Sequence, residues 1–245
     1  MQNVIVFDEI SVTKRYACRF SFIREKYVYE NETNLGDVLV RGVVISGTDQ
    51  LRIPYVVAQM RPLCHQQAGR LLAGFHCAAY RTPFTSLEIP KGKMFVEQKL
   101  VSLLEDHKDN EAISAVLARA LETCTELVLC HGDFSPRNII VGDSGRLYLI
   151  DFEAVTVGPR AFDIAKYLWK CAEDPTTSQG VTDFKAAYER SASCTVAQWE
   201  IDTYVLVHAL LALKWLRETG IDDPDYHLLA QRTIAKQMAK LYSSK

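Results

Sequence analysis

The segment HGDFSPRN at residues 131–138, followed by DFE at residues 151–153, decides how this chain folds. Apolar, β-prone runs lie between the two segments, on either side of a turn at residues 142–145, which is a β-hairpin signature. Because a hairpin brings its open ends together, with facing Cα atoms roughly 4.5–5.5 Å apart, Asn138 and Asp151 are expected to converge. Their oxygen atoms are hard ligands of the kind that Mg²⁺ takes together with phosphates and water. The spacing therefore predicts a magnesium and phosphate site, with phosphoryl transfer as its chemistry.

Each polar residue of these segments also has an ordinary structural role open to it. Asp133 and Asn138 could be turn or capping residues, because both residue types often bond the backbone in loops. Asp151 could simply end a strand. All three at this spacing around one hairpin nevertheless favour a functional site. His131 is predicted to be structural, as a mostly buried imidazole that holds the loop through backbone hydrogen bonds.

The spacing from Asp133 to Asn138 matches the protein-kinase catalytic loop H-R-D-x-x-x-x-N, and Asp151 stands in the place of the D-F-G aspartate. With Gly132 in place of Arg, and Phe-Glu after Asp151 in place of Phe-Gly, the chain more closely resembles the aminoglycoside phosphotransferase and choline kinase family. In that family H-G-D-x-x-x-x-N precedes a strand that ends I-D-[FWY]-[ED]. The resemblance covers roughly residues 10 to 220 and includes LLAGFH at residues 71–76 and GPRAFDIA at residues 158–165.

The resemblance implies a role for each residue of the central block. Asp133 would be the catalytic residue that accepts the proton of the acceptor hydroxyl, and Asn138 and Asp151 would bind Mg²⁺. Asp163 resembles the aspartate that follows the metal loop in the family, and we expect it to tether the loop. Glu153 is either close to the metal or a structural acid.

The resemblance also implies a nucleotide site for ATP, with GTP left open. Lys14 would hold the α- and β-phosphates, braced by Glu25 on the following helix. The alternative for this pair is a solvated surface ion pair of little energetic value. Adenine would lie against a hinge, with backbone groups near Gln59 and Met60 as its hydrogen-bond partners.

The nucleotide end departs from the kinase pattern. Kinases cover the phosphates with a Gly-rich loop between two strands upstream of the lysine. Only thirteen residues precede Lys14, and the first glycine is Gly36. Two strands of about five residues each and a turn would scarcely fit there. We therefore expect a shortened nucleotide lobe, with weaker ATP affinity, a more exposed triphosphate, or a lid from another chain or the substrate.

The overall pattern of elements predicts an α+β, protein-kinase-like two-lobe fold. A small β-rich N-terminal lobe would cover residues 1–60, and a larger, mainly helical C-terminal lobe with the catalytic β-hairpin would cover residues 61–245. Predicted strands lie at residues 4–7, 12–20, 39–45, 51–57, 126–130, 139–141 and 147–150. Predicted helices lie at residues 22–29, from Pro62, from the cap Asn110, at 161–171 and 183–190, from the capping box Thr195–Gln198 to about Glu218 with a stop at Gly220, and at 226–241.

Composition limits the partners and the compartment. The chain has 245 residues, of which 48% are hydrophobic and 24% charged, as in ordinary globular enzymes. A net charge of −2 gives no basic field for nucleic acid or an anionic membrane. We find neither a signal-peptide pattern nor an apolar run near 18 residues, so we expect a cytoplasmic protein. The cysteines include no C-x-x-C pair, so we expect them to be reduced and not to bind zinc. The oligomeric state is left open.

The acceptor pocket is expected in the helical lobe, against Asp133. Aromatic residues beside acids would suit a cationic, choline-like amine through charge attraction and cation–π contacts. The alternative is that the aromatics are core residues and the acids face solvent. The candidates are Trp169, Trp199, Tyr204 and Trp215, with Glu153, Glu173, Asp174, Glu200 and Asp202.

Together these features predict an ATP- and Mg²⁺-dependent phosphotransferase that phosphorylates a hydroxyl group of a small molecule. Two alternatives remain. One is a catalytically weak, kinase-fold module that binds nucleotide for regulation, which the shortened lobe suggests. The other is a kinase of a protein or lipopolysaccharide acceptor.

Overall fold

The N-terminal part of the chain forms a four-stranded antiparallel sheet, and a helix follows its second strand. In this computed structural model, residues 3–30, 38–57, 62–79, 95–124, 126–172 and 181–243 are described. The strand order is β1-β2-β4-β3. The elements are β1 (Val4–Phe7), β2 (Ser11–Arg15), α1 (Arg19–Glu30), β3 (Val44–Ser46) and β4 (Gln50–Pro54).

The second strand is shorter than the sequence predicts, and the helix after it is longer. The predicted strand at residues 12–20 was wrong beyond Arg15, because the chain turns and α1 begins at Arg19. The reason lies in packing. Phe22, Glu25 and Val28 are buried on one face of the helix, and this burial favours a helix that begins before Phe22. The predicted strand at 39–45 is likewise reduced to β3, with Leu39 making only an isolated bridge.

The C-terminal part is mainly helical, as the α+β prediction requires. Helix α2 (His65–Ala79) begins three residues after Pro62 and packs along α6 (Val181–Ala192). Within the described ranges, none of the helices has the length and apolar character of a membrane span. The other helices are α3 (Val96–Asp106), which the sequence analysis missed, α4 (Glu111–Glu122), α5 (Arg160–Ala172), α7 (Gln198–Thr219) and α8 (Pro224–Ser243).

The helix termini test three capping predictions. The Asn110 side chain accepts the Ile113 N–H at 3.1 Å and caps α4 as predicted. Gly220 ends α7 with a φ of 68°, as predicted. The capping box from Thr195 was wrong, because Ala197 is the N-cap and makes no side-chain bond.

Two short antiparallel pairs carry the site within the helical part. Strands β6 (Ile139–Val141) and β7 (Leu147–Leu149) form the predicted hairpin. Strand β5 (Leu127–Cys130) pairs with β8 (Thr156–Pro159), a partner that the sequence analysis did not identify. The HGD segment follows the end of β5 and precedes β6, the first strand of the hairpin. The division of the chain near residue 60 stays a prediction, because residues 58–61 lie outside the described ranges.

A continuous column of aromatic rings lies beneath the HGD segment. His131 packs on Phe152 with ring centroids 4.9 Å apart, and Phe152 stacks on Phe75 at 5.8 Å. On the other side His131 meets Phe134, which packs on Tyr167 at 5.4 Å. These rings are buried, so the loop rests on a closely packed and rigid floor.

We predict that Phe75→Ala lowers the free energy of unfolding by about 3–5 kcal/mol, because it leaves a cavity in this column. Phe7→Ala is the matched control, since Phe7 is 68% exposed and Phe75 is fully buried. Its cost should be below about 1 kcal/mol. Urea denaturation of both variants measures the difference, and equal losses would show that the column is not a core element.

Candidate active site

The turn at Gly132 explains the glycine of the HGD motif. Gly132 has a φ of 81°, in the left-handed region that favours glycine. A Cβ atom at this position would also collide with the carbonyl oxygen of Ala154. The turn thus passes directly against the segment that follows Asp151, and any side chain at residue 132 would force the two segments apart.

Asp163 anchors this turn from the first part of α5. Its carboxylate accepts the backbone N–H groups of His131 at 2.6 Å and Gly132 at 2.9 Å. It also lies 3.1 Å from the Nε2 atom of His76, whose Nδ1 pairs with the Tyr188 hydroxyl. Burial would raise the pKa of Asp163, but His76 and the N–H donors outweigh it and hold the pKa below its usual value. Asp163 tethers the loop, as expected.

His131 is a structural residue, again as expected. Its Nε2–H group donates to the Ile150 carbonyl at 2.9 Å, and its Nδ1 faces the Asp133 N–H at 3.4 Å. The imidazole is fully buried in the aromatic column. It therefore ties the start of the HGD segment to the end of β7.

The candidate base Asp133 is held by two side chains. The Asn138 amide donates to the Asp133 backbone carbonyl at 2.8 Å and to its Oδ2 at 3.0 Å. The Lys166 ammonium lies 2.9 Å from Oδ1. Burial would raise the pKa of Asp133, but Lys166 outweighs it and keeps the pKa below its usual value. The carboxylate is therefore ionised at neutral pH.

Lys166 is a site residue that the sequence analysis missed. It lies one turn after Asp163 on α5, so the helical spacing alone puts both residues on one face. The sequence predicts this helix, and Asp163 is expected to contact the loop. A cation one turn after Asp163 was therefore the available signal for a second contact with the loop.

Lys14, the predicted phosphate ligand, contacts three carboxylates, one of which is Asp151. Its ammonium lies 2.9 Å from Glu25, 2.6 Å from Asp151 and 2.5 Å from Glu153. Glu25 is fully buried and the Lys14 side chain is 8% exposed, so this is not a solvated surface pair. Burial would lower the pKa of Lys14, but the carboxylates of Glu25 and Asp151 outweigh it and raise the pKa. Lys14 is a permanent cation at the predicted nucleotide end.

Asn138 and Asp151 converge as the hairpin geometry predicts. The Ile150 N–H donates to the Asn138 carbonyl at 3.1 Å, which puts the two candidate metal ligands at adjoining strand ends. Asp151 has a φ of 65°, unusual for a residue other than glycine and frequent where a functional side chain is re-aimed. Its side chain is 43% exposed and lines the cavity described below.

The donor set here fits a hard divalent cation. Carboxylate oxygens of Glu25, Asp151 and Glu153 lie within 4.8 Å of one another, around the Lys14 ammonium. Oxygen-only donors of this kind are the ligands of Mg²⁺ and Ca²⁺. The predicted adenine contacts, Gln59 and Met60, lie outside the described residues.

A cavity of about 770 Å³ joins Asp133 and Asp151 to the helical part. Its far wall comes from α3, α5, α7 and the beginning of α8. The described residues on its lining include four cations beside the acids already named. The lining consists of Lys99, Gly132, Asp133, Arg137, Asp151, Glu153, Ala154, Phe162, Lys166, Lys170, His208, Leu211, Ala212, Trp215, Asp223 and Tyr226.

Most of the residues predicted to line the acceptor pocket do not line this cavity. Of the four aromatics only Trp215 lines it, and Tyr204 is buried in the core. Trp169 donates to Thr233, and Trp199 packs under Arg119. Of the five acids, Glu153 lines the cavity. Asp202 pairs with Lys240, and Glu200 is not on the cavity lining. Glu173 and Asp174 are outside the described residues.

Comparison with known proteins agrees with this geometry. The sequence profile of the phosphotransferase enzyme family (APH) matches residues 31–204. The choline kinase LicA of Streptococcus pneumoniae has a TM-score of 0.73 at 20% identity, over 98% of this chain and 90% of that one. The kanamycin and GDP complex of APH(2")-IIia gives 0.69 at 14%, over 98% and 91%. The amicoumacin kinase hAmiN, bound to AMP-PNP and Ca²⁺, gives 0.64 at 12%, over 98% and 88%. The chain thus has the fold of these kinases.

We predict that Gly132→Ala lowers the free energy of unfolding by ~2 kcal/mol or more beyond Gly145→Ala. Both glycines have positive φ angles, but a Cβ at Gly145 meets nothing within 4 Å. The pair therefore separates the backbone strain, about 1–2 kcal/mol in each variant, from the collision with Ala154. Denaturant titration measures both, and equal destabilisation would contradict the close approach of the two segments.

Proposed function

Because the chain belongs to the phosphotransferase enzyme family and is a kinase-like phosphotransferase, we propose that it uses ATP and Mg²⁺ to phosphorylate a hydroxyl group of a small molecule. The observation that carries this proposal is the Asp133 carboxylate. It is ionised, is fixed by Asn138 and Lys166, and opens onto the same cavity as Asp151. A base beside a phosphate-binding end is what transfer to a hydroxyl needs.

In the proposed reaction Asp133 orients the acceptor hydroxyl and takes its proton. The hydroxyl oxygen forms a bond to the γ-phosphorus as the bond between that phosphorus and the β–γ bridging oxygen breaks. ADP leaves with the electron pair of the broken bond. Most of the acceleration comes from positioning and from neutralising charge, since the transferring group needs little covalent help.

Lys14, braced by Glu25, is the proposed ligand of the α- and β-phosphates. Its permanent charge and its burial against Glu25 support this role. Asn138 and Asp151 would hold Mg²⁺, which supplies charge neutralisation on the phosphate oxygens when it is bound. Gln59 and Met60 remain the proposed partners of the adenine. The GDP complex of APH(2")-IIia makes GTP the second donor to test.

A catalytically weak, nucleotide-binding module is the second candidate, and the β1–β2 turn favours it. The Asp8 carboxylate accepts the backbone N–H groups of Ile10 and Ser11 at 2.9 and 2.6 Å. Those donors are therefore not available to phosphate oxygens, and the turn at residues 8–10 contains no glycine. This candidate predicts nucleotide binding with little turnover.

We propose a cytoplasmic location for the protein. Cys18, Cys64 and Cys77 are exposed free thiols. Exposed, unpaired thiols are typical of a reducing compartment.

We predict that Asp133→Asn lowers kcat at least ~100-fold while nucleotide affinity changes little, because only the proton acceptor is lost. Asp151→Asn should instead abolish the Mg²⁺ dependence of nucleotide binding. Asp143→Asn, an exposed change at the far end of the same hairpin, is the control. Calorimetry with ATP and GTP and a coupled assay of ADP release measure these effects.

Native protein that neither binds nor turns over ATP or GTP at millimolar concentration would refute the enzyme proposal. Nucleotide binding without turnover would favour the second candidate. Unchanged turnover in Asp133→Asn would show that another group accepts the proton.

A further inference from the structure

We propose that the acceptor carries an anionic group, a phosphate monoester or a carboxylate, and that Lys99 and Lys166 bind this group beside Asp133. The inference deepens the proposed function and rests on it, because it names the class of acceptor for the same site.

The cationic wall of the cavity comes from two helices. Phe162, Lys166 and Lys170 follow one another at four-residue intervals on α5, so they line one face of that helix. Lys99 arrives from α3, with its ammonium 5.2 Å from the centre of the Phe162 ring. Lys166 and Lys170 lie over the Trp169 ring instead. The three lysines therefore line one cavity, although they rest on different rings.

Lys99 lacks an acidic partner in the part of the chain that the structure describes. Its ammonium makes no ion pair or hydrogen bond there and lies over the Phe162 ring, with the buried Asp163 carboxylate as a more distant negative charge. Burial, with Arg24 and Lys166 as nearby positive charges, lowers the pKa of Lys99 to about 8. Lys99 is half-buried, and a partly buried lysine without an ion-pair partner is unfavourable. An anionic ligand would supply that partner.

Lys166 connects this cationic wall to the chemistry. It binds Asp133 Oδ1, while Asn138 binds Oδ2. An anionic group that contacts both Lys99 and Lys166 would therefore lie beside the base. A hydroxyl on the same small molecule could then reach Asp133.

The acids on the cavity lining are already committed elsewhere. Asp151 and Glu153 bind Lys14, and Asp133 binds Lys166. Asp223 accepts the Tyr226 N–H at 2.9 Å and caps α8. The described lining thus offers an unpaired cation but no unpaired acid close to the base. This distribution favours an anionic acceptor over a choline-like or aminoglycoside-like cation.

The test compares acceptors that differ mainly in charge. Glycerol, glycerol 3-phosphate and glycerate form one set, and ribose with ribose 5-phosphate forms another, with choline and ethanolamine as cations. ADP release with Mg²⁺ and ATP gives kcat and KM for each acceptor, and calorimetry gives binding without turnover. We expect the anionic members to exceed the neutral ones at least ~10-fold in kcat/KM.

Lys99→Met identifies the residue responsible. It should raise the KM of anionic acceptors or their Kd about 10–100-fold, leave kcat and the KM of ATP nearly unchanged, and leave neutral acceptors unaffected. Lys99→Arg should retain the preference, and Lys108→Met, an exposed change beyond the same helix, should have no effect. Because Lys99 has no described counterion, Lys99→Met should be at least as stable as the native protein in thermal unfolding.

Three results would overturn the inference. They are a preference for choline or ethanolamine, equal use or equal binding of charged and neutral members, and an effect of Lys99→Met on the KM of ATP alone. Absence of any nucleotide binding would instead refute the proposed function. In that case calorimetry of the same compounds with native protein and Lys99→Met still decides whether the cavity binds anions.

Discussion

The site depends on one buried carboxylate. Asp163 accepts the N–H groups of His131 and Gly132 and pairs with His76, with no exposure to solvent. Charge-assisted bonds of this kind are strong and directional in a dry interior. Since Asp163 also belongs to α5, the loop that carries Asp133 has a fixed position relative to that helix. Lys166 on the same helix can therefore reach the candidate base without any separate support.

The parts of the site that were predictable are those set by local geometry. The hairpin follows from its turn and its flanking apolar runs, so the convergence of Asn138 and Asp151 could be read from the sequence. The pairing of Lys14 with Glu25 required the resemblance as well, because nothing local joins a strand residue to a helix residue. Its threefold contact with carboxylates became visible only in the structure.

The parts that were not predictable are set by tertiary packing. Residues 16–20 have strand-like composition, yet the chain turns after Arg15 and residues 19 and 20 belong to α1, whose Phe22 and Val28 are buried. The candidate aromatics Trp169 and Tyr204 have the helical spacing of core residues and are core residues. The lysines of the acceptor wall come from α3 and α5, which are distant in sequence. Both helices pack against α7, and this packing brings the charges to one cavity.

The cavity thus has two ends. At the nucleotide end Asp151 and Glu153 bind Lys14, and at the acceptor end Lys99 has no described ion-pair partner. The central claim is that Asp133, between the two ends, accepts the proton of a hydroxyl group that receives the phosphoryl group. Phosphorus NMR of the protein with Mg²⁺, ATP and the acceptor set tests this claim most directly. The account predicts a new phosphate-ester resonance that grows in step with ADP. Unchanged ATP, or ADP formed only with inorganic phosphate, would contradict it.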